Sequence, residues 1–232
     1  MINQAVSTAP RRVSVPTGRR HRLSSHYEHI LSQLQCLGST NANGRPTHGI
    51  GVVGLGHGDG ASTVSANLAI AASRLGMDSV VLVDANRLQP TLHKTFGIAA
   101  APGLSEAMCG ERDLMDCIHM SHFPGLSVLP WGAASDRAAM MVEPKALAER
   151  FGALSKSFGL TLVDLPSAGE TGLGLSLAKT LSGVVLVLEA ESSRRSAALR
   201  TKQQLEHAGV NILGVVLNKH RRHLPNWLYR AI

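Results

Sequence analysis

The sequence predicts a doubly wound α/β domain, a mostly parallel sheet with helices on both faces. Three observations predict it. Apolar, β-branched runs recur along the chain without polar alternation, the pattern of strands buried on both faces. Amphipathic helical stretches separate those runs, and strand–helix alternation builds parallel sheets through right-handed crossovers. The hydrophobic fraction is 44%, enough for a real core in a chain of 232 residues.

Residues 1–24 hold Pro10, Pro16, Gly18 and Arg11, Arg12, Arg19, Arg20 and Arg22, and read as a flexible basic arm. Residues 25–48 read as a short helix and a linker. Tyr27, Ile30, Leu31 and Leu34 fall at helical spacing over 25–36, and 37–48 is rich in turn residues. Residues 49–218 form the α/β domain. Its strands are expected at 50–55, 79–84, 126–130, 160–164, 183–188 and 212–217. Its helices are expected at 62–75, 143–157, 172–181 and 192–208; Pro144 suits a first helical turn. Residues 219–232 form a basic C-terminal tail.

The formal charge of +7 is unevenly spread. Residues 1–48 carry +5, residues 49–218 carry −2, and residues 219–232 carry +4. The core therefore lacks a basic face for nucleic acid, and eight aromatic residues are too few for base-stacking platforms. The two basic ends suit an anionic membrane surface. No apolar run approaches the ~18–20 residues of a membrane span, and no secretory signal follows the N-terminal Arg pairs. Cys36, Cys109 and Cys117 lack Cys-x-x-Cys spacing, as expected of a reduced, cytoplasmic chain without a disulfide framework or zinc site. His26/His29, His119/His122 and His220/His223 repeat at i, i+3 but lack further ligands at metal-site spacing.

The first strand runs into Gly54-Leu55-Gly56-His57-Gly58-Asp59-Gly60-Ala61-Ser62-Thr63, and a helix follows. A glycine-rich turn here lets backbone N–H groups converge on phosphate oxygens, beside the positive end of the helix. Gly58, Asp59, Gly60, Ala61, Ser62 and Thr63 are the candidate nucleotide-binding residues. Ser62 and Thr63 offer hydroxyls, one to Mg²⁺ and one to phosphate. The residue before Ser62 is Ala61, where an active phosphate loop has Lys. One charge-assisted hydrogen bond is worth roughly 1.5–3 kcal/mol. Its loss weakens ATP or ADP binding and weakens phosphoryl transfer more. Asp84 and Asp164 each close a strand and so point into the crevice where ligands of such sheets bind. With Ser62 they are the candidate Mg²⁺ ligands. Asn218 ends the last strand and is a candidate contact to a base edge.

These features together resemble the cytoplasmic P-loop ATPase domain of bacterial tyrosine kinases in capsule and exopolysaccharide export, relatives of the septum-site and chromosome-partitioning ATPases. The resemblance rests on Gly58-Asp59-Gly60-Ala61-Ser62-Thr63, on Asp84 with Arg87-Leu88-Gln89-Pro90, and on Gly103-Leu104-Ser105 to Gly110. Val128-Leu129-Pro130-Trp131-Gly132, Asp164-Leu165-Pro166 and Gly214 to Lys219 complete it. It implies a P-loop NTPase-like fold, ATP or ADP with Mg²⁺, and an inner-membrane polysaccharide co-polymerase, or chain-length, partner. It also implies a cytoplasmic protein, peripheral at the inner membrane. The chain departs from the family at four places. Ala61 replaces the lysine, and Asn86 replaces the second carboxylate of an Asp-x-Asp pair. The helix over Ser25 to Leu34 has no Arg, and only Tyr27 and Tyr229 stand for a tyrosine cluster. These losses imply a degenerate, weakly active or pseudoenzyme member. An active tyrosine autokinase or ATPase, and a partitioning-type protein holding DNA or membrane, are the alternatives.

Overall fold

The computed structural model describes residues 20–37, 49–77, 79–134, 144–169 and 172–219. Most of the N-terminal arm, the linker at 38–48 and the tail after Lys219 lie outside them. The chain forms α1 (Arg20–Leu37), β1 (Ile50–Gly54), α2 (Ala61–Arg74), β2 (Val80–Asp84), α3 (Leu92–Phe96) and α4 (Leu104–Cys109). A 3-10 turn (Met115–Cys117), β3 (His119–Met120), β4 (Leu126–Leu129), α5 (Pro144–Ser157) and β5 (Leu160–Asp164) follow. The described chain ends with α6 (Leu173–Thr180), β6 (Gly183–Glu189), α7 (Arg195–His207) and β7 (Ile212–Asn218).

The strands form one seven-stranded sheet in the order β3-β4-β2-β5-β1-β6-β7. All neighbours are parallel except β3, which runs antiparallel to β4 at the edge. Each central strand sends alternate side chains into two apolar layers. Val52, Leu82, Val128 and Leu162 pack with α1 and α2 residues Leu31, Val64 and Leu68 on one face. Val53, Val83, Leu129 and Val163 pack with Leu104, Phe151, Leu154 and Leu177 on the other. The expected doubly wound architecture is the one observed.

Several boundaries differ from expectation. The first helix begins at Arg20 rather than near residue 25, so it takes in the end of the basic arm. The helix expected from 192 begins at Arg195, because the Ser193 hydroxyl accepts the Glu189 N–H (2.9 Å) and holds that stretch as a turn. Helices α3 and α4 and strand β3 were not expected; each is six residues or shorter.

Candidate functional site

The strand order brings β2, β5 and β1 side by side. The parallel register sets Asp84 opposite Asp164 at the C-terminal ends of β2 and β5. One strand further, β1 ends at Gly54 and opens into the glycine loop. The loop then enters α2 at Ala61. Gly58 (φ 85°) and Gly60 (φ 90°) take left-handed backbone there, which side-chain-bearing residues adopt only with strain. Gly60 is the N-cap of α2, a helix of 14 residues, and provides no side-chain cap. The first-turn amides thus face the loop with the positive end of a long helix behind them, the arrangement that seats an anion.

The loop is tied down from two sides. The Gly56 N–H donates to Asp59 Oδ2 (2.8 Å), which folds the loop on itself. Asn218 Nδ2 donates to the Asp59 carbonyl (2.8 Å), linking the end of β7 to the loop. A Cβ on Gly60 would collide with that same Asn218 amide. Asn218 therefore stands at the site as expected, but its amide nitrogen is committed to the loop backbone.

The two strand-end carboxylates have different surroundings. Asp84 Oδ2 accepts the Thr91 and Leu92 N–H groups (3.1 Å each), and Oδ1 accepts the Asn86 N–H (3.1 Å). Asp84 thus caps α3 and shapes the turn after β2. Burial pushes its carboxyl up to about 6, against the pull of those three amides. Asp164 Oδ1 accepts the Ser65 hydroxyl (3.1 Å). Its Oδ2 is buried with no hydrogen-bond partner. Burial first, and the Asp84 charge second, push Asp164 up to about 7, while the Ser62 and Ser65 hydroxyls act in the opposite sense. Amides hold the charge on Asp84, and that charge disfavours the ionised form of Asp164.

The sequence-derived residues therefore gather in one place, with unequal roles. Ser62 is half-buried at the head of α2 beside the Asp164 carboxyl, while Thr63 is exposed. An orphaned carboxylate oxygen near a loop serine fits a divalent cation, which Ser62 and Asp164 would hold. Asp84 lies within electrostatic reach, with its oxygens already taken by amides. The loop amides and the α2 terminus fit a phosphate group. Ala61 brings no charge to it.

Two features were not read from the sequence. Ser65, one helical turn beyond Ser62, fixes the orientation of Asp164 and also donates to the Ala61 carbonyl (2.9 Å); its i, i+3 spacing from Ser62 was the available signal. Glu106 accepts the Gly103 N–H (2.8 Å), the Ser105 hydroxyl (3.1 Å) and the Ala133 N–H (2.8 Å), and so staples α4 to the segment leaving β4. Burial would raise its carboxyl, but the Ala133 and Gly103 amides outweigh burial and lower it. Among the described residues no group of three or more His, Cys, Asp or Glu could hold a metal ion. No helix among them is long and apolar enough to cross a membrane.

Comparison with known proteins agrees with this geometry. The chain is 26% identical over 199 residues to the tyrosine-protein kinase CpsD of Streptococcus agalactiae, which covers 85% of this chain and 84% of that protein. Its structure is similar to the kinase domain of the Escherichia coli tyrosine kinase ETK. The TM-score is 0.79 at 19% identity, over 94% of this chain and 86% of that one. It is also similar to the septum site-determining protein MinD complexed with Mg-ADP from Pyrococcus horikoshii. That TM-score is 0.64 at 26% identity, over 78% of this chain and 75% of that one. The family described as cellulose biosynthesis protein BcsQ matches residues 48–221. That span runs through every strand from β1 to β7 and includes the glycine loop, Asp84, Asp164 and Asn218, so the chain belongs to the BcsQ family of cellulose biosynthesis proteins.

Proposed function

We propose that the chain is a nucleotide-responsive regulator of exopolysaccharide biosynthesis with little or no phosphoryl-transfer activity. It acts on polymer chain length or export beside an inner-membrane co-polymerase partner. The observation that carries this reading is a phosphate loop complete in its backbone but headed by Ala61. Positive-φ glycines, an uncapped 14-residue helix and the Asp164 carboxyl are in place. The charge that stabilises a transferring phosphoryl group is not supplied by the loop. Bound nucleotide would rest on the loop amides, with Mg²⁺ held by Ser62 and Asp164. Its effect would be conformational, passed through Asp59 to Asn218 and through Asp164 to β5. The basic ends suit a location against the anionic inner face of the membrane.

Calorimetry with Mg-ADP and Mg-ATP, run beside a phosphate-release assay, tests this. Saturable binding without release is the expected result. Turnover of several per minute, lost in Asp164→Ala, would overturn it.

Similarity to a tyrosine kinase over most of that protein's length favours a second reading, an active autokinase. Against it, Tyr27 is part-buried, and its hydroxyl accepts from Asn67 Nδ2 (3.5 Å). Burial pushes its phenol up. Phosphotyrosine at Tyr27 or Tyr229 after incubation with Mg-ATP would decide for the kinase.

A further inference from the structure

We propose that the cavity between α6, α7 and the segment following Asp164 binds a small amphipathic molecule, and that its occupancy is felt in the glycine loop. The cavity has a volume of about 340 Å³. That lies at the small end of ligand cavities, roughly 300–1,000 Å³. Its walls include Val53, Leu165, Ala178, Val184 and Leu205, all buried and all part of the apolar layer under α5, α6 and α7.

Polarity is confined largely to one wall. Thr201, Gln204 and His207 all come from α7. His207 Nδ1 lies 2.7 Å from the Gln203 carbonyl. A carbonyl can only accept, so Nδ1 carries a proton in this contact. The Thr201 hydroxyl and the Gln204 amide can each donate or accept. Among the described residues no Asp, Glu, Lys or Arg lines the cavity. Gln204 and His207 are exposed, so this wall is the open side of the cavity; a polar head there stays hydrated while the apolar walls suit an apolar body. The matching ligand has an apolar body against β1, β6 and α6 and a hydroxyl- or amide-like head towards α7.

The cavity also touches the back of the candidate nucleotide site. Val53 immediately precedes Gly54, and Leu165 immediately follows Asp164. The Leu165 N–H donates to the Val52 carbonyl, and the Ala168 N–H donates to the Gly54 carbonyl (2.9 Å each). Pro166 packs so closely on α6 that a Cβ on Gly174 would lie 2.6 Å from its ring. A molecule wedged between α6 and Leu165 therefore presses on a segment hydrogen-bonded to the start of the loop. Neither step requires nucleotide to be bound.

The test uses the full chain, with 1-octanol as the probe. Saturation-transfer NMR reads binding, and the amide resonances of Gly54, Gly58 and Gly60 read the coupling. Octanol should bind saturably. Thr201→Val should weaken octanol by about threefold. Ala178→Leu, which fills the cavity, should abolish saturable binding and leave the glycine resonances unmoved by octanol. Should Ala178→Leu not fold, Thr201→Val carries the mapping alone. Absence of saturable binding, or binding indifferent to these variants, overturns the site. Saturable binding with unmoved glycine amides in the parent chain overturns the coupling.

Discussion

Asp164→Asn changes one buried charge and almost no volume. The parent carboxyl stands at about 7 against an ordinary value of 3.8. Its folded pKa is raised, so its contribution to stability is whole below about pH 4 and is lost as pH rises through about 7. The gap corresponds to roughly 4 kcal/mol against the ionised form by pH 8. Asparagine removes that term and keeps an oxygen to accept the Ser65 hydroxyl. It also places an amide nitrogen where Oδ2 now lies with no partner. A buried unsatisfied donor costs roughly 1–3 kcal/mol. The charge term wins at high pH and vanishes at low pH. The variant should therefore be about 2 kcal/mol more stable than the parent at pH 8, and no more stable at pH 4. Urea unfolding of both proteins across pH 4–8.5 measures the difference, and Asp84, which titrates in both, largely cancels. Mg-ADP, added at saturation, should raise the parent midpoint more than the variant's. Identical pH dependence of the two proteins, or a variant less stable at pH 8, would refute a buried and partly orphaned carboxylate at this position.

Ala61→Lys should raise Mg-ADP affinity roughly tenfold or more by restoring a charge-assisted bond; unchanged calorimetric affinity would count against the loop as a phosphate seat. Gly60→Ala should destabilise the fold by about 2 kcal/mol in urea, since the position has positive φ and a Cβ would strike Asn218. Thr161→Val should stabilise the fold by about 1 kcal/mol, because it removes a buried hydroxyl that has no hydrogen-bond partner; a fall in Tm would show that the hydroxyl is satisfied in solution.

The parallel strands were legible because burial on both faces leaves a local mark, an unbroken apolar run, in each of β1, β2, β5 and β6. Helices α3 and α4 left no such mark. Five and six residues cannot show a helical period, and these helices exist because Asp84 and Glu106 satisfy their first amides. The glycine loop, Ser62 and Asp164 could be read from position alone. The division of labour between the two carboxylates could not. It depends on Thr91 and Leu92 amides returning to Asp84 on one side and on Ser65 reaching across from α2 on the other. Asn218 was legible as a strand-end residue, but its tie to Asp59 depends on β7 lying next to β6, a fact of topology.

That tie also sets an order of assembly. Asn218 and Asp59 are 159 residues apart in sequence, and the sheet places β7 outermost, paired only with β6 among the described strands. Contacts of such separation form late, because the loop-closure entropy must be met before the contact returns anything. During synthesis the glycine loop leaves the ribosome well before β7 does, and waits for β7 before its carbonyl finds that amide. A glycine loop held at both ends is thus a property of the completed sheet. A nascent or truncated chain lacking β7 would present the loop without its last fixed point.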